Sequence, residues 1–137
     1  MKIWTIGIKV PDIDHEIAFL TRLGGHLLLD DTVRSGNKEY RAPLMRLGDK
    51  YMHVLSSTIY EPQLQGPLPY GLAHIVYQVD DIAGARARAL DAGATELLPP
   101  RRVSAGFGTR DVGCYRSPGG LIFELIQIYE NLVPTLP

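Results

Sequence analysis

The sequence predicts an α+β fold built from two tandem βαβββ modules. A length of 137 residues suits one compact domain or two small modules that share a core. The composition, with 45% hydrophobic and 21% charged residues, is that of an ordinary globular chain. The third observation is an internal repeat, in which "TIGIKVPDID" from Thr5 aligns with "HIVYQVDDIA" from His74.

Each copy of the repeat begins with an alternating strand and continues into a helix of about three turns. Asp12 and Asp81 are suited to cap the helix starts, because a carboxylate accepts hydrogen bonds from free backbone N–H groups. Gly24 and Gly93 fit the left-handed position just past a helix end. The aligned signals predict one helix per copy.

Three further strands are predicted after each helix. The first copy offers "GHLLLDDTV", "KEYRAPLMRL" and "RLGDKYMHVL", and the second offers "ATELLPPRRV", "TRDVGCYRS" and "SPGGLIFELIQ". The stretch between the copies is rich in proline and glycine, which is typical of a linker. We therefore divide the chain into a first module (1–56), a linker (57–70), a second module (71–129) and an irregular tail (130–137).

Side chains alternate between the two faces of a strand, and this alternation assigns the faces. In the first strand, Trp4, Ile6, Ile8 and Val10 form an apolar face that the helix is expected to cover. The opposite face then lines a cavity. It carries Thr5, Gly7 and Lys9 on the first strand, and His74, Val76 and Gln78 on the equivalent strand of the second copy.

Four equivalent positions of the repeat lie on this cavity face: Thr5, His53, His74 and Glu124. If the modules pair about a pseudo-twofold axis, all four converge on one point. An ionised carboxylate buried alone among isoleucines costs several kcal/mol, and a divalent cation removes that cost. Two histidines and one carboxylate also leave coordination positions open for a substrate. We therefore predict a metal site with His53, His74 and Glu124 as ligands.

Alternative interpretations exist for these residues. A single strand histidine is more often a hydrogen-bonded core or surface residue, and Glu124 could instead pair with Lys9, Arg46 or Arg110. His15 and His26 fall outside the repeat pattern and are interpreted as surface residues. Cys114, the only cysteine, has no neighbouring base in the sequence and is interpreted as a packed, inert thiol.

Charge and hydropathy exclude several partners. A net charge of −1 provides no basic field for nucleic acid, and no apolar run reaches the roughly 18 residues of a membrane-spanning helix. The N-terminus lacks the apolar stretch and cleavage site of a secretory leader. We expect a cytoplasmic protein with no nucleic-acid and no membrane partner.

The repeat resembles the vicinal oxygen chelate superfamily, which includes glyoxalase I, bleomycin-resistance proteins and extradiol dioxygenases. "HIVYQVDDI" and "SPGGLIFELIQ" are similar to its second module, and "TIGIKVPDID", "FLTRLGG" and "RLGDKYMHVL" match its first module more loosely. The resemblance implies a cup-shaped, mostly antiparallel eight-stranded sheet, a homodimer, and metal ligands on the first and last strand of each module. This chain departs from glyoxalase I-like members at Thr5, where they usually carry histidine, and at His53, where they usually carry glutamate or glutamine.

The function expected from residues and resemblance together is a metal-dependent enzyme acting on a small oxygenated molecule. The chemistry would be that of a lyase, an isomerase or a ring-cleaving dioxygenase, with zinc, nickel, iron or manganese as the metal. Thr5 is expected beside a metal-bound water, and no residue is assigned as a catalytic acid or base. Substrate contact or support of the ligands is expected from Thr5, Lys9, Tyr51, Gln78 and Arg110. The alternative is a metal-free sequestering protein of the bleomycin-resistance type, which would favour aromatic walls in the cavity.

Overall fold

The computed structural model describes residues 1–135 and has two α-helices, ten strands and a short 3-10 helix in that range. The elements are, in order, β1 (Lys2–Lys9), α1 (Ile13–Leu23), β2 (His26–Leu29), β3 (Thr32–Ser35), β4 (Lys38–Arg41), β5 (Leu44–Leu47), β6 (Lys50–Leu55), the 3-10 helix (Glu61–Gln63), β7 (Gly71–Gln78), α2 (Ile82–Asp91), β8 (Thr95–Ala105), β9 (Gly108–Arg116) and β10 (Ile122–Asn131). The expected tail thus begins inside β10, and its last two residues lie outside the described part.

Eight strands form one open sheet in the order β2-β5-β6-β1-β7-β10-β9-β8. The first strands of the two repeats, β1 and β7, pair antiparallel at the centre, and each is flanked by the last strand of its own repeat in parallel register. The remaining pairs of this sheet are antiparallel. The predicted α+β fold with a mostly antiparallel eight-stranded sheet is confirmed, and the sheet runs through both repeats of a single chain.

The helix boundaries follow the capping residues. Asp12 accepts a hydrogen bond from the backbone N–H of His15 at 3.0 Å, and Asp81 accepts one from Gly84 at 3.1 Å. Gly24 and Gly93 have φ values of 116° and 101°, the left-handed region that glycine enters at low cost. Neither helix of residues 1–135 is long and apolar enough to cross a membrane.

The first repeat contains an additional hairpin that the sequence analysis did not anticipate. Two strands were predicted between α1 and β6, whereas the structure has four, because β3 and β4 leave the main sheet and pair with each other. Pro43, which has no N–H to donate to a ladder, separates β4 from β5. The hairpin contacts β8 of the second repeat, and Arg101 donates to the Ser35 hydroxyl at 2.8 Å.

The two faces of the sheet carry different cores. Under α1 lies an apolar cluster that includes Val10, Leu20 and Val54, and a similar cluster with Phe123 and Leu125 lies under α2. The face away from the helices holds a third cluster and a cavity. Because the helices occupy the other side, this helix-free face, which we call the cup, is where side chains can meet a ligand.

Candidate active site

The three central strands place both predicted histidines beside one glycine. Gly7 of β1 pairs with His53 of β6 on one side and with His74 of β7 on the other, so all three residues point to the cup face. A Cβ atom at position 7 would lie 2.3 Å from Nε2 of His74. Glycine is therefore required here because the imidazole occupies the space of a side chain.

Glu124 stands next to His74. It pairs with Val76 in the register of β10 with β7, and its Oε2 lies 3.3 Å from Nε2 of His74. The other ring nitrogen of His74, Nδ1, lies 2.8 Å from the hydroxyl of Tyr60. The His74 and Glu124 side chains are only 3% and 13% exposed, so the pair is buried, and both ring nitrogens of His74 have a contact.

Burial suppresses the charges of these groups. It raises the pKa of Glu124 to about 7 and lowers the pKa of His74 to about 4. The pKa of His53 is lowered to about 4 by burial, with further contributions from nearby His74 and Arg110. The imidazoles therefore present free lone pairs at neutral pH, as a metal ligand requires, while Glu124 titrates near neutrality.

His53 and Thr5 carry buried polar atoms that have no hydrogen-bond partner in the described part of the chain. These atoms are Nδ1 of His53 and Oγ1 of Thr5. Buried polar groups are nearly always satisfied in native proteins, so the orphan of His53, which lines the cavity, indicates a ligand, whereas Thr5 does not line the cavity. The imidazole nitrogens of His53 and His74 and the carboxylate of Glu124 are thus groups of the kind that bind a divalent cation. As the side chains stand, however, no three histidine, cysteine, aspartate or glutamate residues within 1–135 are grouped closely enough to hold one.

The cup encloses a cavity of about 90 Å³. Its polar lining includes His53, His74, Glu124 and Arg110, and the hairpin β3–β4 contributes Val33 and Tyr40. The other lining residues are Trp4, Ala42, Leu55, Ser57, Thr58, Ile59, Val76, Val103, Phe107, Val112 and Ile126. Most of this wall is apolar, and the resulting low dielectric strengthens electrostatic interactions between groups inside the cavity.

The position of Trp4 differs from the one expected from the sequence. Strict alternation placed it under the helix, but the pairing of β1 with β7 shifts register between Ile3 and Thr5, so Trp4 is the extra residue of a β-bulge. Its ring lies 5.6 Å from the ring of Tyr51 and 6.4 Å from that of His53. The cup therefore has the aromatic wall that the sequence analysis assigned to the opposite face.

Lys9 and Gln78, expected on the cavity face, do not line the cavity. Lys9 is tied to the linker, since its Nζ donates to Oε2 of Glu61 at 3.2 Å and to the Leu68 carbonyl at 2.9 Å. Tyr51 contributes indirectly, by backing Trp4. Arg110 does line the cavity, beneath Phe107.

The alternative partners proposed for Glu124 are engaged elsewhere. Lys9 binds Glu61, Arg46 donates to the Gly48 carbonyl, and Arg110 donates to the Phe107 carbonyl. The surface placement of His15 and His26 is confirmed, because both are exposed. Cys114 is confirmed as a packed thiol, with 0% exposure and a pKa raised well above its usual range by burial.

The sequence analysis missed two site residues, Tyr60 and Phe107. Tyr60 belongs to the segment interpreted as a linker, yet it is 0% exposed and contacts His74. Phe107 lies at the turn between β8 and β9, and it is only 4% exposed. An aromatic residue amid proline and glycine, in "STIYEP" and "SAGFGT", was the available signal.

Residues 5–113 match the family described as the Glyoxalase/Bleomycin resistance protein/Dioxygenase superfamily. No curated protein matches the chain. Among solved structures, a methylmalonyl-CoA epimerase of Streptomyces coelicolor, in complex with 2-nitronate-propionyl-CoA, is similar with a TM-score of 0.72. The two sequences are 20% identical, over 98% of this chain and 99% of that one.

Two further solved structures share the fold. A hypothetical protein of Bacillus halodurans C-125 has a TM-score of 0.71 at 20% identity, over 95% of this chain and 96% of that one. A glyoxalase/bleomycin resistance protein/dioxygenase superfamily member of Vibrio splendidus 12B01 has a TM-score of 0.60 at 19% identity, over 90% and 96%. At this level of identity the similarity establishes the fold.

Proposed function

Because the chain belongs to the Glyoxalase/Bleomycin resistance protein/Dioxygenase superfamily, we propose that it is a metal-dependent enzyme acting on a small oxygenated molecule in the cup. The observation that carries the proposal is the buried His74–Glu124 pair, with Nε2 and Oε2 3.3 Å apart on the wall of the cavity. A glutamate buried beside two uncharged imidazoles is costly in a purely structural role, and a cation would repay that cost.

His74 and Glu124 would hold the metal, and His53 would complete the set from the other side of Gly7. The orphaned Nδ1 of His53 supports this assignment, because it lacks any other partner in the described residues. Zinc, nickel, iron and manganese all accept imidazole and carboxylate ligands. A bound divalent ion would supply a Lewis acid that polarises a substrate oxygen and stabilises the negative charge developing on it.

The remaining residues of the site orient groups and exclude water. If Nε2 of His74 binds a cation, Nδ1 must carry the proton and donate it to the Tyr60 oxygen at 2.8 Å. Trp4, Phe107 and Val76 enclose the cavity in apolar surface, which strengthens the interactions of any charge that forms there. Tyr60 is thus a positioning residue for His74.

Among lyase, isomerase and dioxygenase chemistry, we propose that of an isomerase. The fold is shared with a methylmalonyl-CoA epimerase, and a polarised oxygen in a dry cup is suited to proton removal from the adjacent carbon. The cavity of about 90 Å³ fits a compact reacting group rather than a large planar ring system.

Metal content tests the proposal. Protein purified without chelator should contain close to one equivalent of a transition metal, and His74→Ala and Glu124→Ala should each lose it. His26→Ala is the matched control, since His26 is an exposed strand histidine away from the cup. Unchanged metal content in both site variants, with the control also unchanged, would overturn the proposal.

A metal-free sequestering protein is the second candidate. The bulge that turns Trp4 into the cup, beside Phe107 and Tyr40, favours it, because such proteins bind ligands against aromatic walls. The size of the cavity argues against a bulky ligand, since pockets for drug-sized molecules measure about 300–1,000 Å³. The metal analysis separates the two candidates: metal-free protein that still binds small aromatic molecules would support sequestration.

A homodimer also remains a proposal. Phe19 and Leu23 lie four residues apart on one face of α1, and both are exposed, which suits a subunit contact. Sedimentation equilibrium of the wild type and of Leu23→Glu tests it, with the dimer expected only in the wild type. The cytoplasmic location stays a prediction from the sequence.

A further inference from the structure

Arg110 is a buried cation without a counter-ion among residues 1–135. It is 2% exposed and lies on β9 with its side chain in the cup. Its Nη2 donates to the Phe107 carbonyl at 2.7 Å, and its Nε has no partner in the described structure. No carboxylate of this part of the chain lies within ion-pair distance of it.

Three other arginines form ion pairs with carboxylates, although an ion pair stabilises an exposed charge less than a buried one. Arg41, Arg86 and Arg102 contact carboxylates at 2.7, 2.5 and 2.7 Å, and all three are partly or largely exposed. A charge in water needs little compensation, whereas a charge in an apolar hollow needs much. Stability alone would favour an ion pair at the buried Arg110 over ion pairs at exposed arginines, and the structure has the reverse.

Aromatic rings provide a part of the missing compensation. The guanidinium carbon of Arg110 lies 4.1 Å from the centre of the Phe107 ring and 5.0 Å from the centre of the Trp4 ring. Burial lowers the pKa of Arg110 to about 10, so the group remains cationic at neutral pH. The rings hold the guanidinium in place and leave the Nε proton without an acceptor.

Glu124 does not act as the counter-ion, although it lines the same cavity. Among the described residues, the ion-pair contact of Glu124 is with His74, and its carboxyl does not lie within ion-pair distance of Arg110. The cup therefore contains a buried guanidinium without a carboxylate partner.

We infer that the cup binds a compact molecule carrying one carboxylate, with Arg110 as the group that receives it. The inference names the substrate class of the proposed enzyme, and it rests on the proposed function only in assuming that the cup is the ligand site. A carboxylate fits the planar donor edge of a guanidinium and satisfies Nε. A phosphate dianion would bring a second negative charge for which the cavity lining has no cation.

Matched small probes test the inference on metal-depleted protein, so that metal coordination cannot contribute. Isobutyrate and isobutyramide have nearly the same size and shape, and only the first is charged. At pH 7, where isobutyrate is charged, the wild type should bind isobutyrate about tenfold or more tightly than isobutyramide in calorimetry. Arg110→Gln should abolish this preference, and Arg110→Lys should retain part of it. Arg102→Gln, on the neighbouring strand and exposed, is the control and should retain all of it.

A measurement on the wild type alone guards against variants that fail to fold. Isobutyrate should shift the Arg110 Nε–H resonance in a proton–nitrogen spectrum, and isobutyramide should leave it in place. Equal binding of the two probes, no binding of either, tighter binding of inorganic phosphate, or an unmoved Nε–H resonance would each overturn the inference. Because no metal is present, carboxylate binding can succeed even if the metal analysis above fails, and the two proposals are judged separately.

Discussion

The two repeats of the chain share one architecture but supply different parts of the site. In the second repeat, the first and last strands place His74 and Glu124 side by side, 3.3 Å apart. In the first repeat the equivalent positions hold Thr5 and His53, whose buried polar atoms have no hydrogen-bond partner in the described structure. The comparison shows that a duplicated fold preserves geometry while its halves diverge in chemistry.

The first repeat instead shapes the cavity. The bulge in β1 turns Trp4 into the cup, and the hairpin β3–β4 adds Val33 and Tyr40 to its wall. The second repeat has a bulge at the matching position too, where Ala73 is the extra residue, but alanine adds no ring to the wall, and there is no additional hairpin between its helix and last strand. The first repeat thus adds Trp4 and the hairpin to the wall, and the second repeat supplies His74, Glu124 and Arg110.

The largest effect is expected from Gly7→Ala, at the junction of the two repeats. The new methyl group would lie 2.3 Å from Nε2 of His74, whose ring is buried and fixed by Tyr60, so the imidazole must leave its place. We expect a loss of about 1–3 kcal/mol in the free energy of unfolding. Metal affinity should fall about 100-fold, because the ring no longer faces Glu124.

Gly119→Ala provides the matched control for this substitution. The nearest atom to a Cβ there is Oγ of Ser117 at 3.9 Å, an ordinary contact, and the residue lies in a turn outside the cup. Chemical denaturation and metal titration should show it close to wild type. Comparable behaviour of the two alanine variants would contradict the close approach of His74 to β1.

Tyr60→Phe is expected to have the next largest effect. It removes the hydroxyl that meets Nδ1 of His74 at 2.8 Å and keeps the ring that packs beside Leu98 and Cys114. Metal affinity should fall about 10–100-fold while the fold is retained. Competition titration against a chelator measures the first quantity, and thermal unfolding checks the second. A metal affinity equal to that of the wild type would show that Tyr60 has no role in positioning the imidazole.

The pH dependence of metal binding distinguishes the carboxyl from the imidazoles. Without metal, Glu124 keeps its proton up to a pKa of about 7, while His53 and His74 are neutral above about 4. Binding between these pH values should therefore release one proton, from Glu124, and affinity should fall about tenfold per pH unit below 7. Calorimetry in buffers of different ionisation enthalpy counts the protons. Release of two or three protons at pH 6 would contradict neutral imidazoles.

The same shifts predict the acid stability of the metal-free chain. The pKa values of His53 and His74 are lowered to about 4 from 6.5, so each stabilises the fold above pH 6.5 and loses that contribution as pH falls to 4. Glu124 acts in the opposite direction, because its raised pKa makes the fold lose stability as pH rises from 4.5 to about 7. Two imidazoles outweigh one carboxyl, and the midpoint of urea unfolding should rise between pH 4 and 6.5. A flat profile would contradict the burial of the imidazoles.

The smallest effect is expected at Thr5, the first-repeat counterpart of His74. Thr5→Val keeps the shape and removes a buried hydroxyl that has no partner in residues 1–135. The free energy of unfolding should rise by about 1 kcal/mol, measured by urea denaturation, and the metal content should stay the same. A marked loss of metal would instead support the predicted role of Thr5 beside a metal-bound water.

Much of the fold could be predicted because the repeat is visible in local signals. Asp12 and Asp81 cap the helices as predicted, and the alternation around His74 and Glu124 placed both side chains on the helix-free face. These features depend on a residue and its close neighbours in sequence, so one sequence reveals them.

The features of the fold and the site that could not be predicted depend on contacts between segments that are distant in the sequence. Alternation fails at Trp4 because the register with β7 shifts, and the sequence of β1 gives no sign of a bulge. The burial of Tyr60 arises where the linker packs on β8, β9 and β10, which composition cannot reveal. The separation of Lys9 from the cavity has the same origin, since Glu61 and Leu68 of the linker bind it.

X-ray absorption spectroscopy of the metal-loaded protein tests most directly whether both repeats meet at one cation. The wild type should show a coordination shell with two imidazoles and one carboxylate, and His53→Ala should show one imidazole fewer with the carboxylate retained. Identical spectra for the wild type and His53→Ala would contradict the account, because the first repeat would then contribute no ligand to the site.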